Sequence, residues 1–357
     1  MKKLLRGGFV VTPRGSRRAD VLLDGEKIAQ VGHISPAEAK SAEVTDVSGC
    51  YLFPGFIDAH THFDLDVCNT TTADDFASGT RSAIRGGTTT IIDFACPNKG
   101  ETLAYGLDLW HKKADGKCSC DYGFHMTIDD WNEGIEGELD DMFAAGITSF
   151  KMYLTYPAMM IGDGAVYAAL KALKKRGGIA GVHCENAGVI DARIAELKAA
   201  GRAADVSAHP EARPDYLEAE AVARLLRIAE AADAPVVIVH LTNREALDEV
   251  AFARARGQRV YVETCPQYLA LDDGVYYDAN WSMAARYVCA PPIRAEENQR
   301  ALWRGLRRGE IQTISTDHCS FTLAQKDMGR DDFTKIPGGL PGVETRGEVV
   351  YTRGVAA

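Results

Sequence analysis

The chain of 357 residues contains no apolar run long enough to span a membrane and no basic stretch longer than three residues. Its first residues, Met1–Arg6, lead into a strand-like alternation and not into the apolar segment of a signal peptide. Forty basic and fifty acidic residues leave a net charge of −10, which disfavours nucleic acid and anionic membranes as partners. These absences direct the interpretation towards a small-molecule partner.

The sequence also lacks internal repeats, low-complexity segments and any long flexible linker. It has nine cysteines, an odd number, and a chain of this length does not need disulfides to stabilise its core. Cys118 and Cys120 form a close pair, but their spacing is not that of a zinc knuckle and nothing pairs with them. We therefore expect reduced thiols and a cytoplasmic protein.

Two patterns divide the chain and predict its fold. Residues 1–54 alternate polar and apolar positions around turn signals such as Asp24-Gly25, which predicts several short antiparallel strands in a small β-domain. In residues 55–357, strand-like runs alternate with helical stretches such as Tyr216–Ala232, the pattern of an α/β fold. Eight candidate strands fit a parallel TIM (β/α)8 barrel. They end near His62, Asp93, His125, Tyr153, His183, His240, Thr264 and Asp317.

His60 and His62 close the first candidate strand of the barrel. They are separated by one residue, so on an extended strand both imidazoles project from the same face, where they supply half of a tetrahedral zinc shell. An apolar run that follows Pro54-Gly55 precedes them and indicates a buried strand leaving a turn. By itself, the pair fits two histidines on a solvated strand equally well.

Four further polar residues each end an apolar, β-prone run, and these are Lys151, His183, His240 and Asp317. Taken singly, His183 or His240 fits a hydrogen-bonded core histidine better than a metal ligand. Because a parallel barrel gathers the C-terminal ends of its strands on one face, the ordered set predicts a single metal-sized cage.

Lys151 requires a separate argument, because a protonated ammonium has no lone pair for a metal. Beside divalent cations in a low-dielectric pocket its pKa falls, and the neutral amine adds carbon dioxide to give a carbamate. Each carbamate oxygen then binds one of two metals, which predicts N6-carboxylysine at this position. The alternative is a lysine that reaches solvent from a strand end.

Six motifs resemble the hydantoinase/dihydropyrimidinase branch of the amidohydrolase superfamily, in particular its bacterial D-hydantoinases and phenylhydantoinases. They are Gly55-Phe56-Ile57-Asp58-Ala59-His60-Thr61-His62, Ser149-Phe150-Lys151-Met152-Tyr153, Val182-His183-Cys184-Glu185-Asn186, Val239-His240-Leu241-Thr242-Asn243, Glu263-Thr264-Cys265-Pro266-Gln267-Tyr268 and Thr316-Asp317-His318-Cys319. The resemblance covers nearly the whole chain and implies two zinc ions in a distorted TIM (β/α)8 barrel. It also implies that the small N-terminal β-domain is part of a β-sandwich. The implied ligands are His60, His62 and Asp317 for one metal, His183 and His240 for the other, and Lys151, carboxylated by carbon dioxide or bicarbonate, for both.

The same resemblance implies hydrolysis of the cyclic amide of hydantoins and dihydropyrimidines to N-carbamoyl amino acids by a homo-oligomer, a tetramer. A hydroxide between the metals attacks the carbonyl, and Asp317 takes its proton and delivers it to the departing ring nitrogen. Tyr156 hydrogen-bonds the developing oxyanion. From the residues alone, Tyr156 fits an aromatic packed in a loop, and His318 fits either support of Asp317 or substrate, or a structural role.

The chain departs from the family at two substrate-binding positions and at its C-terminus. Alanine follows Cys289 where the family usually has serine, and Gly338 stands where it usually has asparagine. Both positions contact the cyclic amide in relatives. If backbone groups make the contacts, Ala290 and Gly338 keep them; if side chains contribute, the substrate preference changes. Relatives continue past the equivalent of Ala357, so the C-terminal part is expected to be shorter, as a truncated product, a fragment or a natural short form.

Other functions stay open. An allantoinase or a dihydroorotase would use the same cage, but dihydroorotases carry an arginine where this chain has Asp64, which repels a substrate carboxylate. A catalytically impaired truncated homologue or a non-catalytic scaffold is the third alternative, and the short C-terminus supports it. Scaffold proteins of this fold lack the metal ligands, however, and all six ligands are present here. Within the hydantoinases, the segment Lys151–Tyr156 and the flexible Met159 and Met160 favour bulky 5-substituted hydantoins, unless the methionines pack in the core.

Overall fold

The computed structural model describes residues 1–356, which form two compact units, Met1–Phe56 and a second unit that begins at Ile57. The first unit contains one sheet and a short helix, α1 (Pro36–Ala39). Its strands are β1 (Lys2–Thr12), β2 (Gly15–Asp24), β3 (Lys27–Gly32), β4 (Ala42–Asp46) and β5 (Tyr51–Leu52). The strand order is β3-β2-β1-β4, and β5 also pairs with β1.

Pairing in this sheet is mixed, which corrects the expectation of short antiparallel strands. β1 and β2 are long and pair antiparallel, and β2 pairs antiparallel with β3 across the predicted turn, where Gly25 has a left-handed φ of +60°. β4 and β5 instead run parallel to β1, because the crossover through α1, capped by Ser35, returns the chain in the same direction. The core of this unit consists of Leu4, Leu22, Ile34 and Ala39.

The second unit contains the predicted barrel of eight parallel strands. In chain order its strands are β6 (Phe56–Thr61), the hairpin strands β7 (Asp66–Val67) and β8 (Thr70–Thr71), and then β9 (Thr88–Ala95), β10 (Asp121–Thr127), β11 (Ser149–Tyr153), β12 (Ile179–His183), β13 (Val236–Ile238), β14 (Val260–Thr264) and β15 (Thr313–Ile314). The sheet order is β15-β14-β13-β12-β11-β10-β9-β6, so neighbouring barrel strands follow one another in sequence. This order brings the C-terminal ends of all eight strands to one face.

Helices alternate with these strands and cover the outside of the barrel. They are α2 (Phe76–Arg85), α3 (Leu103–Ala114), α4 (Glu133–Ala144), α5 (Asp163–Lys175), α6 (Ala187–Ala199), α7 (Ala208–Ala212), α8 (Asp215–Ala232), α9 (Arg244–Ala255), α10 (Pro266–Ala270), α11 (Trp281–Ala285), α12 (Glu296–Arg307), α13 (Leu323–Lys326) and α14 (Arg346–Tyr351). Short 3-10 helices span Asp273–Tyr277, Asp327–Gly329 and Phe333–Lys335, and a π-helical turn spans Thr352–Ala356. Within residues 1–356, no helix is both long and apolar enough to cross a lipid bilayer.

Hydrogen bonds outside the regular strand pairing join the first barrel strand, β6, to the segment that follows the last, β15. The strand β15 itself is only two residues long. The backbone N–H of His62 donates to the carbonyl of His318 at 2.8 Å. The buried Asp58 carboxylate accepts hydrogen bonds from the backbone N–H and the hydroxyl of Thr316 at 3.0 and 2.7 Å. The guanidinium of Arg346 donates to a backbone carbonyl of each strand. These bonds hold the segment that carries Asp317 against β6.

Two barrel strands end earlier than the sequence predicts. β13 ends at Ile238 and not at His240, and β15 ends at Ile314 and not at Asp317. His240 has a φ of +38° and Asp317 a φ of +52°, both in the left-handed region that no strand residue occupies. Both side chains therefore stand on irregular backbone, His240 two residues and Asp317 three residues after the end of its strand.

Candidate metal centre

Four buried histidines converge at the C-terminal face of the barrel. The ring centroids of His60 and His62 are 5.2 Å apart, and those of His60 and His240 are 5.5 Å apart. The rings of His183 and His240 pack at 4.6 Å. The fold thus brings together in one cluster the histidines that the sequence places at the ends of three different strands.

His60, His62 and Asp317 have the spacing of ligands that share one ion. The Nε2 atoms of both histidines lie 3.2 Å from the same oxygen, Oδ1 of Asp317. One ligand atom from each residue lies within 4.8 Å of the others. Two ligands at the zinc distance of about 2.0–2.1 Å and a tetrahedral angle are about 3.3 Å apart. These three side chains therefore fit a small divalent metal.

Lys151 projects into the same cluster. Its Nζ lies 3.3 Å from Nε2 of His60 and above the rings of Phe94 and Tyr153, at 5.1 and 5.2 Å from their centroids. The side chain is buried, and burial lowers the pKa of the amine. It does not reach solvent, which removes the alternative of a lysine that extends out from the strand end. A neutral amine is the form that can become a carbamate.

The protonation states of this cluster suit metal ligation. Burial, together with the charge of Lys151, holds the pKa of His60 well below its ordinary value. Burial and the neighbouring His183 do the same to the pKa of His240. For Asp317, burial opposes ionisation, but the adjacent His60 and His62 outweigh it and lower the pKa of the carboxyl. Neutral imidazoles and an ionised carboxylate are the forms that bind metals.

Glu263, on β14, orients one of the histidines. Its Oε1 accepts a hydrogen bond at 2.7 Å from Nδ1 of His60, and another at 3.1 Å from the backbone N–H of His240. The bond to Nδ1 fixes the ring so that Nε2 faces Lys151 and Asp317. The sequence interpretation gave Glu263 no role, although a carboxylate inside an apolar β-run is a signal that could have found it.

Glu185 orients His183 in a similar way. Its Oε2 accepts a hydrogen bond at 2.7 Å from Nε2 of His183 and another at 2.8 Å from Arg213. Burial opposes ionisation, but the Arg213 guanidinium and His183 outweigh it and hold the pKa of Glu185 below its usual range. His183 is thereby left with Nδ1 for a ligand. Sequence reasoning also missed this pair; Glu185 follows His183 by two residues, but Arg213 gave no signal.

Buried polar atoms without a partner mark the same region. Within residues 1–356, Nδ1 of His62, Nδ1 of His240 and Oε1 of Glu185 are inaccessible and form no hydrogen bond. A buried polar atom left unsatisfied costs about 1–3 kcal/mol. For His240 a metal at the ring would remove this cost. Together with the Asp317 geometry, this shows that the side chains present fit a metal centre.

Tyr156 stands next to the His183 side of the cluster. Its φ of +67° is left-handed, and its ring centroid lies 5.1 Å from that of His183. Lys99 fixes the following turn, because its Nζ donates to the carbonyls of Pro157 and Met160 at 2.8 and 3.0 Å. Burial and the charge of Glu185 raise the pKa of Tyr156 well above its ordinary value, so its hydroxyl stays protonated and can donate.

The two predicted substrate-binding segments lie against each other. A Cβ added to Gly338 would lie 3.9 Å from the backbone nitrogen of Ala290 and 4.0 Å from Cα of Cys289. The Cys289 thiol is buried and donates to the carbonyl of Pro291 at 3.4 Å. A ligand contact at this position therefore falls to the backbone and not to the thiol.

His318 has a structural role, which decides between the alternatives that the sequence left open. Its Nδ1 accepts hydrogen bonds from the backbone N–H groups of Gly342 and Val343 at 3.1 and 3.2 Å. Its Nε2 therefore carries the proton and donates to Asp74 at 3.0 Å. The ring ties neighbouring loops to the segment next to Asp317.

Comparison with known proteins agrees with this site. The profile of the amidohydrolase family matches residues 51–334. A D-hydantoinase from Streptomyces coelicolor is 42% identical over 355 residues, which cover 98% of this chain and 76% of that protein. A D-phenylhydantoinase from Escherichia coli is 42% identical over 99% of this chain and 76% of its own length. The crystal structure of a dihydropyrimidinase from Brevibacillus agri superposes with a TM-score of 0.96 and 41% identity, covering 100% of this chain and 77% of that one. The chain therefore belongs to the amidohydrolase family, within its hydantoinase branch.

Proposed function

We propose that the protein hydrolyses the cyclic amide bond of hydantoins and dihydropyrimidines and releases N-carbamoyl amino acids. The observation that carries this proposal is the meeting of His60 and His62 with one oxygen of Asp317 at 3.2 Å, beside the buried Lys151. These side chains come from three separate segments and have no shared structural task in the barrel. Their chemistry is that of a hydrolytic metal centre.

We propose that the centre holds two zinc ions. His60, His62 and Asp317 would hold one ion, His183 and His240 the other, and Lys151, as a carbamate, both. When bound, the ions would lower the pKa of water to about 7 and polarise the substrate carbonyl. The low pKa that burial imposes on Lys151 supports carboxylation by carbon dioxide, since the reaction requires the neutral amine.

The protein's own groups move the proton and orient the substrate. Asp317 is ionised, so its carboxylate takes a proton from the attacking water and delivers it to the ring nitrogen as the amide bond breaks. Tyr156 keeps its hydroxyl proton and donates a hydrogen bond to the developing oxyanion. The backbone of the Cys289-Ala290 and Gly338 segments receives the remaining polar groups of the cyclic amide.

We further propose a preference for neutral rings with a bulky 5-substituent. Met159 and Met160, in the turn after Tyr156, are not packed in the core: Met159 is partly exposed and Met160 is 37% exposed. Flexible thioether chains at this place suit an aromatic substituent. Asp64 disfavours an anionic ring such as dihydroorotate by charge repulsion.

The test of the function is metal content combined with hydrolysis. The protein is reconstituted with zinc and bicarbonate, the metal per chain is measured, and ring opening of phenylhydantoin and dihydrouracil is followed by ultraviolet absorbance. We expect two ions per chain and turnover of both substrates. Metal-loaded protein that opens neither ring would contradict the proposed activity, and absence of bound metal would contradict the proposed centre.

Three further proposals concern the setting of the enzyme. All nine cysteines are free thiols, which supports a reducing, cytoplasmic compartment. We propose that residues 1–54 form a domain separate from the barrel of residues 55–357, and that the enzyme is a homotetramer, as the family resemblance implies. Size-exclusion chromatography with light scattering tests the oligomeric state.

A further inference from the structure

A buried lysine outside the metal cluster makes an unusual set of contacts. Lys326, the last residue of α13, is 3% exposed. Its Nζ donates to three backbone carbonyls, those of Val288, Pro337 and Gly339, at 2.9, 2.7 and 2.9 Å. An ammonium has three N–H donors, so every donor of Lys326 is used. Its Nζ also lies 5.5 Å from the ring centroid of Phe321. A buried cation whose hydrogen bonds all go to neutral carbonyls is costly to retain, which indicates a specific task.

The three carbonyls border the two segments that we propose to bind the cyclic amide. Val288 precedes Cys289-Ala290, while Pro337 and Gly339 enclose Gly338. The backbone N–H of Gly339 also donates to the Val288 carbonyl at 3.0 Å, so the segments are bonded to each other as well as to the lysine. In a trans peptide the N–H points opposite to the C=O. Because Lys326 holds these carbonyls, the amide groups of Cys289 and Gly338 point away from it.

We propose that Lys326 is a positioning residue, which holds the Cys289-Ala290 and Gly338 segments in the arrangement that binds the cyclic amide. This inference rests on the proposed hydantoinase function. The proposed role of Lys326 is separate from metal binding, because its hydrogen bonds go to backbone carbonyls and not to the proposed metal ligands. Loss of the lysine should therefore weaken substrate binding more than it slows the chemical step.

The groups that face Lys326 are neutral. They are the thiols of Cys289 and Cys319 and the imidazole of His209. The side chain of Cys68 also faces Lys326. The charged residues Asp327 and Arg330, which follow Lys326 in sequence, pair with each other at the surface. Burial raises the pKa of Cys289 to about 11 and lowers that of His209 to about 3. Burial also lowers the pKa of Lys326 to about 8. Above pH 8 the amine therefore has two N–H donors for three carbonyls.

The first experiment compares Lys326→Met and Lys326→Arg with a control, Lys335→Met, which removes an exposed lysine nearby. We expect Lys326→Met to raise KM for phenylhydantoin about tenfold, with kcat within about twofold and two metals per chain. Lys326→Arg should recover part of the loss, because guanidinium keeps both charge and donors. The control should match the wild type. An unchanged KM in Lys326→Met, or a fall confined to kcat, would overturn the inference.

The second experiment uses the wild type, so that it remains decisive if the variants do not fold. KM is measured between pH 6 and pH 10 for phenylhydantoin and for dihydrouracil at full metal occupancy. The two rings lose protons at different pH values, so a rise in KM shared by both substrates above about pH 8 belongs to the enzyme. A flat KM for both would refute the role of Lys326 while the function stands. A metal-loaded wild type that opens neither ring would instead remove the proposed function and this inference with it.

Discussion

The two sides of the metal centre are held in different ways. The His62 half, which consists of His60, His62 and Asp317, is already assembled, because both imidazoles lie 3.2 Å from one carboxylate oxygen. The His183 half, which consists of His183, His240 and Tyr156, has closely packed rings, but among the described residues no carboxylate oxygen is shared by its two histidines in the way that Asp317 is shared in the other half. A buried Nδ1 without a partner in residues 1–356 is present in both halves, on His62 and on His240.

The difference extends to the residues behind each half. In the His62 half, buried Asp93 accepts hydrogen bonds from the Thr61 hydroxyl and the backbone N–H of Phe63 at 2.8 and 2.9 Å, which fixes the chain on both sides of His62. In the His183 half, the half-buried Arg213 and the hydrogen bond from His183 keep Glu185 ionised despite its burial. The Asp93 contacts come from neutral donors, whereas Glu185 is held by an ion pair, and an ion pair tolerates the loss of one partner poorly.

The largest effect is expected at Lys151, which serves both halves. Lys151→Ala should lower activity by more than about 10³-fold, because it would remove the proposed carbamate that holds both proposed metals. Acetate or propionate should restore part of the activity by supplying a carboxylate in its place. Lys151→Arg should be as inactive as the alanine variant and should not respond to acetate, since a permanent cation would stand between the metals. Steady-state hydrolysis with metal analysis measures this, and wild-type turnover in either variant would show that no bridge is needed.

Substitution of Arg213 tests how far the stability of the protein depends on the ion pair in the His183 half. Arg213→Met leaves the buried Glu185 charge without its guanidinium partner and should lower the free energy of unfolding at pH 7 by about 3 kcal/mol. The control is Arg176→Met, which breaks a surface pair with Asp140 and should cost about 0.5 kcal/mol.

The pH dependence of this loss follows from the pKa of Glu185. The folded pKa is depressed, so the ionised carboxylate contributes stability above its unfolded pKa of about 4.3, and this contribution disappears as the pH falls. The gap in the free energy of unfolding between Arg213→Met and the wild type should therefore narrow as the pH falls, because protonation of Glu185 removes the charge that Arg213 pairs with. Urea unfolding at several pH values measures it, and equal losses in the Arg213 and Arg176 variants would show that the halves do not differ.

Substitution of the carboxylates that orient the histidines should show whether the two proposed metal sites can be emptied independently. Glu263→Gln and Glu185→Gln each replace an orienting carboxylate by a neutral amide, whose oxygen is a weaker acceptor. Each should therefore weaken the metal site of the histidine ring that it orients by about 10- to 100-fold in affinity. Competition with a chelator should then yield protein with one ion per chain: the His62 site is lost first in Glu263→Gln, and the His183 site in Glu185→Gln. If both variants lose both ions together, the two sites act as one unit.

The smallest expected effect concerns substrate choice at the turn beside the His183 half. kcat/KM for phenylhydantoin should exceed that for dihydrouracil by about tenfold, because Met159 and Met160 can accommodate an aromatic ring. Met160→Ala should reduce the ratio without changing turnover of dihydrouracil. A preference for dihydrouracil would reverse the substrate order but not the reaction, whereas rapid opening of dihydroorotate would contradict the charge argument from Asp64.

The sequence predicted the barrel and the clustering of its strand-end residues for a clear physical reason. Apolar runs of strand length, each ending at one polar residue, are typical of buried parallel strands. A parallel barrel brings the C-terminal ends of such strands together on one face. The helices near residues 216–232 and 244–256 are confirmed to within one residue as α8 and α9. The strand ends at His240 and Asp317 were wrong, because left-handed backbone turns depend on tertiary contacts and not on local preference.

The sequence alone determined which residue types stand at the barrel mouth, since the order and spacing of His60, His62, Lys151, His183, His240 and Asp317 are covalent facts. Only the tertiary structure decided which groups act on them. Glu263 lies 203 residues from His60 in sequence, and Arg213 lies 28 residues from Glu185. Lys326 meets carbonyls from two separate loops. Hydrogen bonds and charges act through space over a few ångströms, so the chain reveals these partners only when folding has made them neighbours.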